Sequence, residues 1–301
     1  MKIMCIGQSA YDITLPLDHF PEENKKVRVS GKVACGGGSA SNCAYLLAKW
    51  GINTYFAGVV GNDYYGNKIK DEYKEVGVNM KYLETDDAIS TTSSYILANT
   101  SIGSRTILTS RDKNIKLKML NDIDEDFDIL LFDGYEKEFC LEAIKRNPRA
   151  IKVLDAGSMK EATVELAHLS DYVVCSHDFA EEFAGIKIDY QNVETIVKCY
   201  NKLKEEFKNN IIITLEDRGC FTYLDGFRII PSIKVVSVDS TGAGDIFHGA
   251  FVYCLARGFD LKRTLLFSNI TGALSVEKIG SRLSIPPLES VIEKYNDVVS
   301  K

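Results

Sequence analysis

Short apolar runs rich in Val, Ile and Leu recur along this chain and alternate with longer segments patterned at helical spacing. The runs include "KIMCIG", "TYFAGVVG", "SSYILA", "RTILTS", "DILLFDG", "IKVLDAG", "DYVVCS", "IIITL" and "CFTYL". Continuous apolar runs of this length suit strands buried on both faces of a sheet. Between them, "SASNCAYLLAKWG" carries Ala40, Ala44, Leu47 and Ala48 on one helical stripe, with Gly51 as its stop. "KEFCLEAIKRN", "VETIVKCYNKLKEEF" and "GDIFHGAFVYCLARG" are striped in the same way. Strand followed by helix, repeated, predicts an α/β fold: a mainly parallel central sheet with helices on both faces.

Two stretches break the rhythm. Residues 13–36 and 92–110 read as strands joined by turns without an intervening helix, and "NTSIGSR" reads as a hairpin connection. Such strands do not fit a parallel core, so they predict a small β-sheet lid standing over it. The chain has no internal repeat, low-complexity tract or linker, and residues 1–301 are read as one domain carrying that inserted lid.

Composition narrows the partners. A formal net charge of -6 argues against nucleic acid, because phosphate binding needs an excess of Lys and Arg on one face. No apolar run approaches the ~18 residues of a membrane span, and the N-terminus lacks the basic and apolar regions of a signal peptide. The eight cysteines stand singly, without a CxxC pair. That pattern suits reduced, buried thiols in a cytoplasmic protein and points to no zinc site.

The chemistry concentrates in "VDSTGAGDIFHGAF", residues 238–251, read as the end of a strand, a glycine turn and the start of a helix. Gly242 and Gly244 let the backbone curl and approach a ligand. The amides of Gly242, Ala243, Gly244 and Asp245 then face outward at a helix N-terminus, where an anion is favoured. Asp245 puts a negative charge in the same place, which a pure phosphate cradle would avoid. Phosphoryl transfer resolves the conflict: the amides hold the charge on the transferred group, and the carboxylate takes the proton of the attacking hydroxyl. On this motif alone, a charge placed at a helix start explains Asp245 equally well.

A second glycine cluster shifts the balance. "ACGGGSASNCAYLLAKWG" puts Gly36, Gly37 and Gly38 before a helix with Asn42 one turn inside, and Asp12 follows the first strand. An amide that donates and accepts, beside a carboxylate able to accept from two hydroxyls, suits a polyol.

With both glycine clusters in place, the chain resembles the ribokinase-like (PfkB) carbohydrate kinases over nearly its whole length. "DSTGAGD" is similar to that family's C-terminal signature and "GGSASNCAYLLAKWG" to its N-terminal one, about 200 residues earlier. "GVVGNDYYGNKI" and "VGVNM" are similar to landmarks between them. The resemblance implies Asp245 as catalytic base and Gly242, Ala243 and Gly244 as its anion hole. It implies sugar-hydroxyl contacts at Asp12, Gly37, Gly38 and Asn42, and contacts to ATP at Thr214, Gly219 and Asn269. It further implies magnesium with the nucleotide and, in many members, potassium beside the anion hole. The potassium ligands would be Asp239, Thr241, the backbone of Ser275, Lys278 and Gly280, and Ser284. A lid of this kind implies a homodimer.

Two positions depart from the family pattern. Where the family has NxxE before a helix, associated with magnesium and phosphate, this chain has Ser176 and Phe179, with Asp178 and Glu181 as the nearby carboxylates. Glu216 replaces the first glycine of the family's TLGxxG nucleotide turn. His248 and Trp50 are read as packing residues, and Arg105 and the basic Arg28 and Lys32 as solvated lid positions.

The expected activity is therefore transfer of the γ-phosphoryl group of ATP to a hydroxymethyl group of a small sugar. A nucleoside or sugar-phosphate acceptor is the alternative within the fold, with Tyr11 or Tyr45 available as aromatic surface. A sugar-binding regulator of weak turnover is the alternative outside catalysis. An NAD-dependent oxidoreductase is disfavoured, since no GxGxxG follows the first strand.

Overall fold

A computed structural model describes residues 1–120 and 122–300. Among them the strands are β1 Lys2–Ile6, β2 Ala10–Leu17, β3 Val33–Gly37, β4 Asn53–Gly61, β5 Asn79–Asp86, β6 Ser93–Asn99 and β7 Ser104–Ser110. They continue as β8 Ile129–Phe132, β9 Ile151–Ala156, β10 Tyr172–Ser176, β11 Asn210–Thr214, β12 Cys220–Tyr223 and β13 Phe227–Ile230. The helices are α1 Ser39–Lys49, α2 Tyr64–Val76, α3 Lys137–Arg146, α4 Glu161–Leu169, α5 His177–Ala184, α6 Val193–Glu206, α7 Ala243–Ala256, α8 Leu261–Ser275 and α9 Leu288–Val299.

The main sheet runs in the order β13-β12-β11-β10-β9-β8-β1-β4-β5. It is parallel from β11 to β5, with antiparallel β12 and β13 closing one edge. Alternation along the central strand builds two cores. Ile3 and Cys5 point to the face covered by α1, α7 and α8, while Met4 and Ile6 point to the face covered by α3, α4 and α6. Burial on both faces is why these strands read as unbroken apolar runs.

β3-β2-β6-β7 form the second sheet, in which β2 and β6 are parallel and the other pairs antiparallel. The turn from β6 to β7 closes with the Gly103 amide on Asn99 O, Gly103 taking a φ of 70°. Within the stretch read as strands joined by turns, residues 18–32 form one long exposed loop between β2 and β3.

The segment before the glycine turn differs from expectation. Residues 231–239 belong to no strand, and the amides of Val238 and Asp239 both donate to Val276 O, at 2.7 and 3.1 Å. Their partner is the end of α8 and not a sheet edge, and Val236 is left 79% exposed. The sequence reading does not single out β5, β13, α2, α4, α8 and α9. For α8 the reason is its burial all round, which erases the amphipathic stripe that marks a surface helix.

Candidate active site

Asp245 lies half-buried in the first turn of α7, which is capped by Gly242 in a left-handed conformation (φ 76°). The first intrahelical bond runs from the Ile246 amide to Gly242 O at 2.9 Å, and the Ala243 amide donates to Ser240 O at 3.4 Å, so the amides of Gly242, Gly244 and Asp245 are left to face an anion. A Cβ on Gly244 would meet open space, whereas one on Gly242 would strike Ser281. Burial raises the Asp245 carboxyl above its ordinary range, and hydrogen bonding by Asn42 opposes that rise. The Asn42 Nδ2 donates to Asp245 Oδ2 at 2.7 Å.

The residues expected to hold hydroxyls gather opposite. Asp12, on β2, is buried beside Gly37 of β3, whose missing Cβ leaves room for the carboxylate. Burial pushes Asp12 up to about 6, with hydrogen bonds from Ser281 and Ser94 pulling the other way. Gly38 caps α1 at φ 90° against the Gln8 carbonyl, so a Cβ there would collide with backbone. Asn42 is buried one turn further on.

The expected potassium ligands also assemble. Asp239 is buried and accepts from the Thr241 amide at 2.9 Å, from Thr241 Oγ1 at 2.6 Å and from the Gly280 amide at 3.0 Å. The Ser275 carbonyl accepts from the Lys278 amide at 3.3 Å, and Ser284 donates to Ser281 O at 3.1 Å.

On the nucleotide side, Thr214 ends β11 and Gly219 (φ 99°) packs against the Ile230 carbonyl at the end of β13. Asn269, buried on α8, donates to the same carbonyl at 2.8 Å. Between Thr214 and Gly219 a single 3-10 turn places Glu216 at φ 55°. Glycine adopts that conformation freely and a side chain adopts it at a cost, so the family's glycine has a geometric reason. At the NxxE position, Ser176 caps α5 by accepting the Phe179 amide, and Phe179 is wholly buried against Phe183. Glu181 is held by Lys187 and the Ile188 amide, and Asp178 faces His177 at the surface.

Several site neighbours escaped the sequence reading. Asp133 follows β8 and accepts from the amides of Gln8, Ala40 and Tyr135, tying the end of β1 to the start of α1. Asp155, the last residue but one of β9, lies beside His248, whose ring nitrogens lie 2.6 Å from Gly244 O and 3.2 Å from Val174 O. Carboxylates at the carboxyl ends of predicted parallel strands were a usable signal for both. Arg282, fully buried, and its partner Glu72 had none. Arg105 is not a merely solvated lid residue: its Nη1 donates to Ser240 Oγ at 2.7 Å, so the lid tip touches the glycine turn. Trp50 is buried, as read, and donates to Pro286 O. Tyr11 stacks on Tyr65 with centroids 4.9 Å apart, and Tyr45 faces the Arg282 guanidinium.

All eight cysteines are buried free thiols, and no described helix is long and apolar enough to cross a membrane. Among the described residues no cluster of three or more His, Cys, Asp or Glu is arranged to hold a metal.

The chain is similar to known kinases over nearly its whole length. A nucleoside kinase of Methanocaldococcus jannaschii is 25% identical over 303 residues, covering 97% of this chain and 96% of that protein. A ribokinase of Staphylococcus aureus is 27% identical over 301 residues, covering 96% and 98%. Among solved structures, the ribokinase of Thermotoga maritima superposes with a TM-score of 0.80 at 26% identity, covering 98% of this chain and 99% of that one. An Arabidopsis thaliana ribokinase complexed with ribose and ATP shares the fold, with a TM-score of 0.78 at 21% identity over 98% of both chains. Residues 1–288 match the model of the pfkB family carbohydrate kinases, and the chain belongs to that family.

Proposed function

We propose that this kinase transfers the γ-phosphoryl group of ATP to a hydroxymethyl group of a small sugar, with Asp245 as base. The observation that carries this reading is the placement of one half-buried carboxylate at the N-terminus of α7, held by Asn42, with the unpaired amides of Gly242 and Gly244 beside it. The buried carboxylate of Asp12 completes a site with a polyol side and a phosphate side. Asp12 and Asn42 would orient the sugar, and Gly37 and Gly38 would let it approach the backbone. Asp245 would take the hydroxyl proton, and the amides of residues 242–245 would bind the charge of the transferred group. Lid contact at Arg105 and Gly103 would exclude water, the competing acceptor.

Thr214, Gly219 and Asn269 would line the nucleotide. Magnesium would arrive on its phosphates, neutralising their charge. Asp239 fits a monovalent cation: it is buried, yet its partners among the described residues are neutral N–H and O–H groups, so its charge lacks a counter-ion. Thr241, Ser275, Lys278, Gly280 and Ser284 would complete that shell. The lid exposes Tyr95, Ile107 and Leu108, an apolar surface in keeping with a homodimer.

One observation favours a nucleoside acceptor as the second reading. A cavity of about 290 Å³ at the root of the lid is lined by Tyr64 and Tyr65 together with Ser93 and Ser110. The deciding experiment measures ADP release with magnesium and potassium across free sugars, sugar phosphates and nucleosides, with Asp245→Asn in parallel. One acceptor that stimulates turnover, lost in Asp245→Asn while the acceptor still raises Tm, is the expected result. Binding without turnover in the native protein would overturn the kinase reading in favour of a sugar-binding regulator.

A further inference from the structure

Resting on Asp245 as the base, we infer that Arg282 is a positioning residue that fixes which end of the Asn42 amide faces it. Arg282 Nε donates to Asn42 Oδ1 at 3.3 Å, and Asn42 Nδ2 donates to Asp245 Oδ2 at 2.7 Å. The amide is thereby read from both ends. With its oxygen engaged by a guanidinium that only donates, only the nitrogen is left for Asp245.

The rest of the guanidinium is clamped with matching economy. Nη1 donates to Glu72 Oε2 at 2.7 Å, Nη2 donates to Ser41 Oγ, and the plane lies between Tyr45 and Tyr73, 5.1 and 4.8 Å from their centroids. Glu72 in turn accepts the Gly36 amide through both oxygens, at 3.0 and 2.9 Å, and Gly36 has no Cβ because the guanidinium fills that space. A fully buried arginine carries a large desolvation cost, which is offset only when its donors are engaged. Here they are engaged by groups leading to the sugar and phosphate sides of the site.

The neighbours of Arg282 extend the same logic. Gly280 donates to Asp239 at 3.0 Å, and Ser281 Oγ lies 3.1 Å from Asp12 Oδ2. Three successive residues therefore reach the cation loop, the sugar carboxylate and, through Asn42, the base.

If Asn42 turned over, its oxygen would face the Asp245 carboxylate, an arrangement satisfied only when that carboxyl holds a proton. A protonated base cannot accept the hydroxyl proton, so the orientation decides how much enzyme is competent at a given pH. The other charged or titratable groups facing Asp245 are His248 on α7, Asp155 on β9, Asp12 on β2, Arg105 on β7 and the Cys43 thiol on α1, none of which Arg282 touches through a hydrogen bond.

The test follows the Asp245 carboxyl by ¹³C NMR titration in full-length native protein, Arg282→Met and Arg282→Lys, alongside pH profiles of kcat/KM. Lysine keeps the positive charge and the buried volume but lacks the Nε donor that holds Asn42. The expected result is an Asp245 titration moved upward by about one pH unit in both variants. The acidic limb of kcat/KM moves with it, while the KM for ATP stays within about twofold. A titration unchanged in either folded variant, whatever happens to Tm, overturns the proposal and leaves Arg282 a packing residue. If Arg282→Met does not fold, Arg282→Lys alone decides. Absence of turnover in the native protein would sink the kinase reading, and the titration would still decide the orientation.

Discussion

Ser281 reaches back across 269 residues of sequence to place its hydroxyl 3.1 Å from Asp12 Oδ2. That contact offsets only part of what burial imposes on the carboxylate, which is raised to about 6. The unfolded chain ionises Asp12 near pH 4, so between about pH 4 and 6 the folded state holds the extra proton and stability falls as pH rises. Above pH 6 the full cost, on the order of 2–3 kcal/mol, is in place. Asp12→Asn is therefore expected to raise the Tm of the ligand-free protein by several degrees at pH 8 and to leave it nearly unchanged at pH 4. The same substitution should abolish sugar-induced stabilisation. Thermal melts at the two pH values, with and without the acceptor, check both halves.

Gly37→Ala should separate acceptor binding from nucleotide binding. The new methyl would collide with the Asp12 carboxylate, which sits at the ligand side of β3. Displacing that carboxylate costs about 1–3 kcal/mol of packing and removes its alignment on the sugar. The expected outcome is an acceptor KM raised at least tenfold, with the KM for ATP little changed. Gly36→Ala, whose methyl meets the buried Arg282 guanidinium and its ion pair with Glu72, should lower Tm by more than Gly37→Ala does. Steady-state kinetics of the first variant and melting of both give the comparison.

Arg105→Ala tests the lid. Its bond to Ser240 is exposed, so its loss is worth about 1 kcal/mol at most. Closure, and not the stability of the fold, is what should suffer. The expectation is a several-fold rise in acceptor KM, an unchanged Tm, and a larger share of ADP released without phosphorylated product. The ratio of ADP to phosphorylated acceptor measures that leak, and a ratio equal to that of the native protein would show that the contact does not gate water.

How much of this was legible in the sequence depended on whether a residue acts through local pattern. Asp245 and the glycines around it stand in one short segment, Gly37 and Asn42 flank one strand–helix junction, and Asp12 lies just past the first strand, so turn chemistry exposed them. The parallel core was legible because both faces of β1 are buried, which leaves an apolar run in the sequence. Arg282 and Glu72 were not legible: they meet across 210 residues, from the polar face of α2 and a loop before α9. The run Val235–Val238 before the glycine turn reads as a strand because its valines carry strand-like character, yet it belongs to none, and the amides of Val238 and Asp239 are taken by the end of α8. The hydrogen bond of Arg105 to Ser240 likewise exists only once the lid folds back over the glycine turn.

Glu216 offers a final prediction, because geometry and charge can be separated there. At φ 55° it holds a conformation that costs an ordinary residue roughly 1–2 kcal/mol and glycine almost nothing. Glycine gives back about 0.5–1 kcal/mol through the freedom of its unfolded chain, so Glu216→Gly should raise Tm by a few degrees at most. Charge is a second matter. Glu216 and Asp217 both lie in the turn proposed to face the nucleotide, where carboxylates oppose a triphosphate. Removing one should lower the KM for ATP several-fold at low ionic strength and less at high salt, where exposed charges are screened. Glu216→Gln removes the charge and keeps the strained backbone, so it should reproduce the KM change without the gain in Tm. If Glu216→Gly lowers the KM and Glu216→Gln does not, the path of the turn and not its charge controls nucleotide affinity.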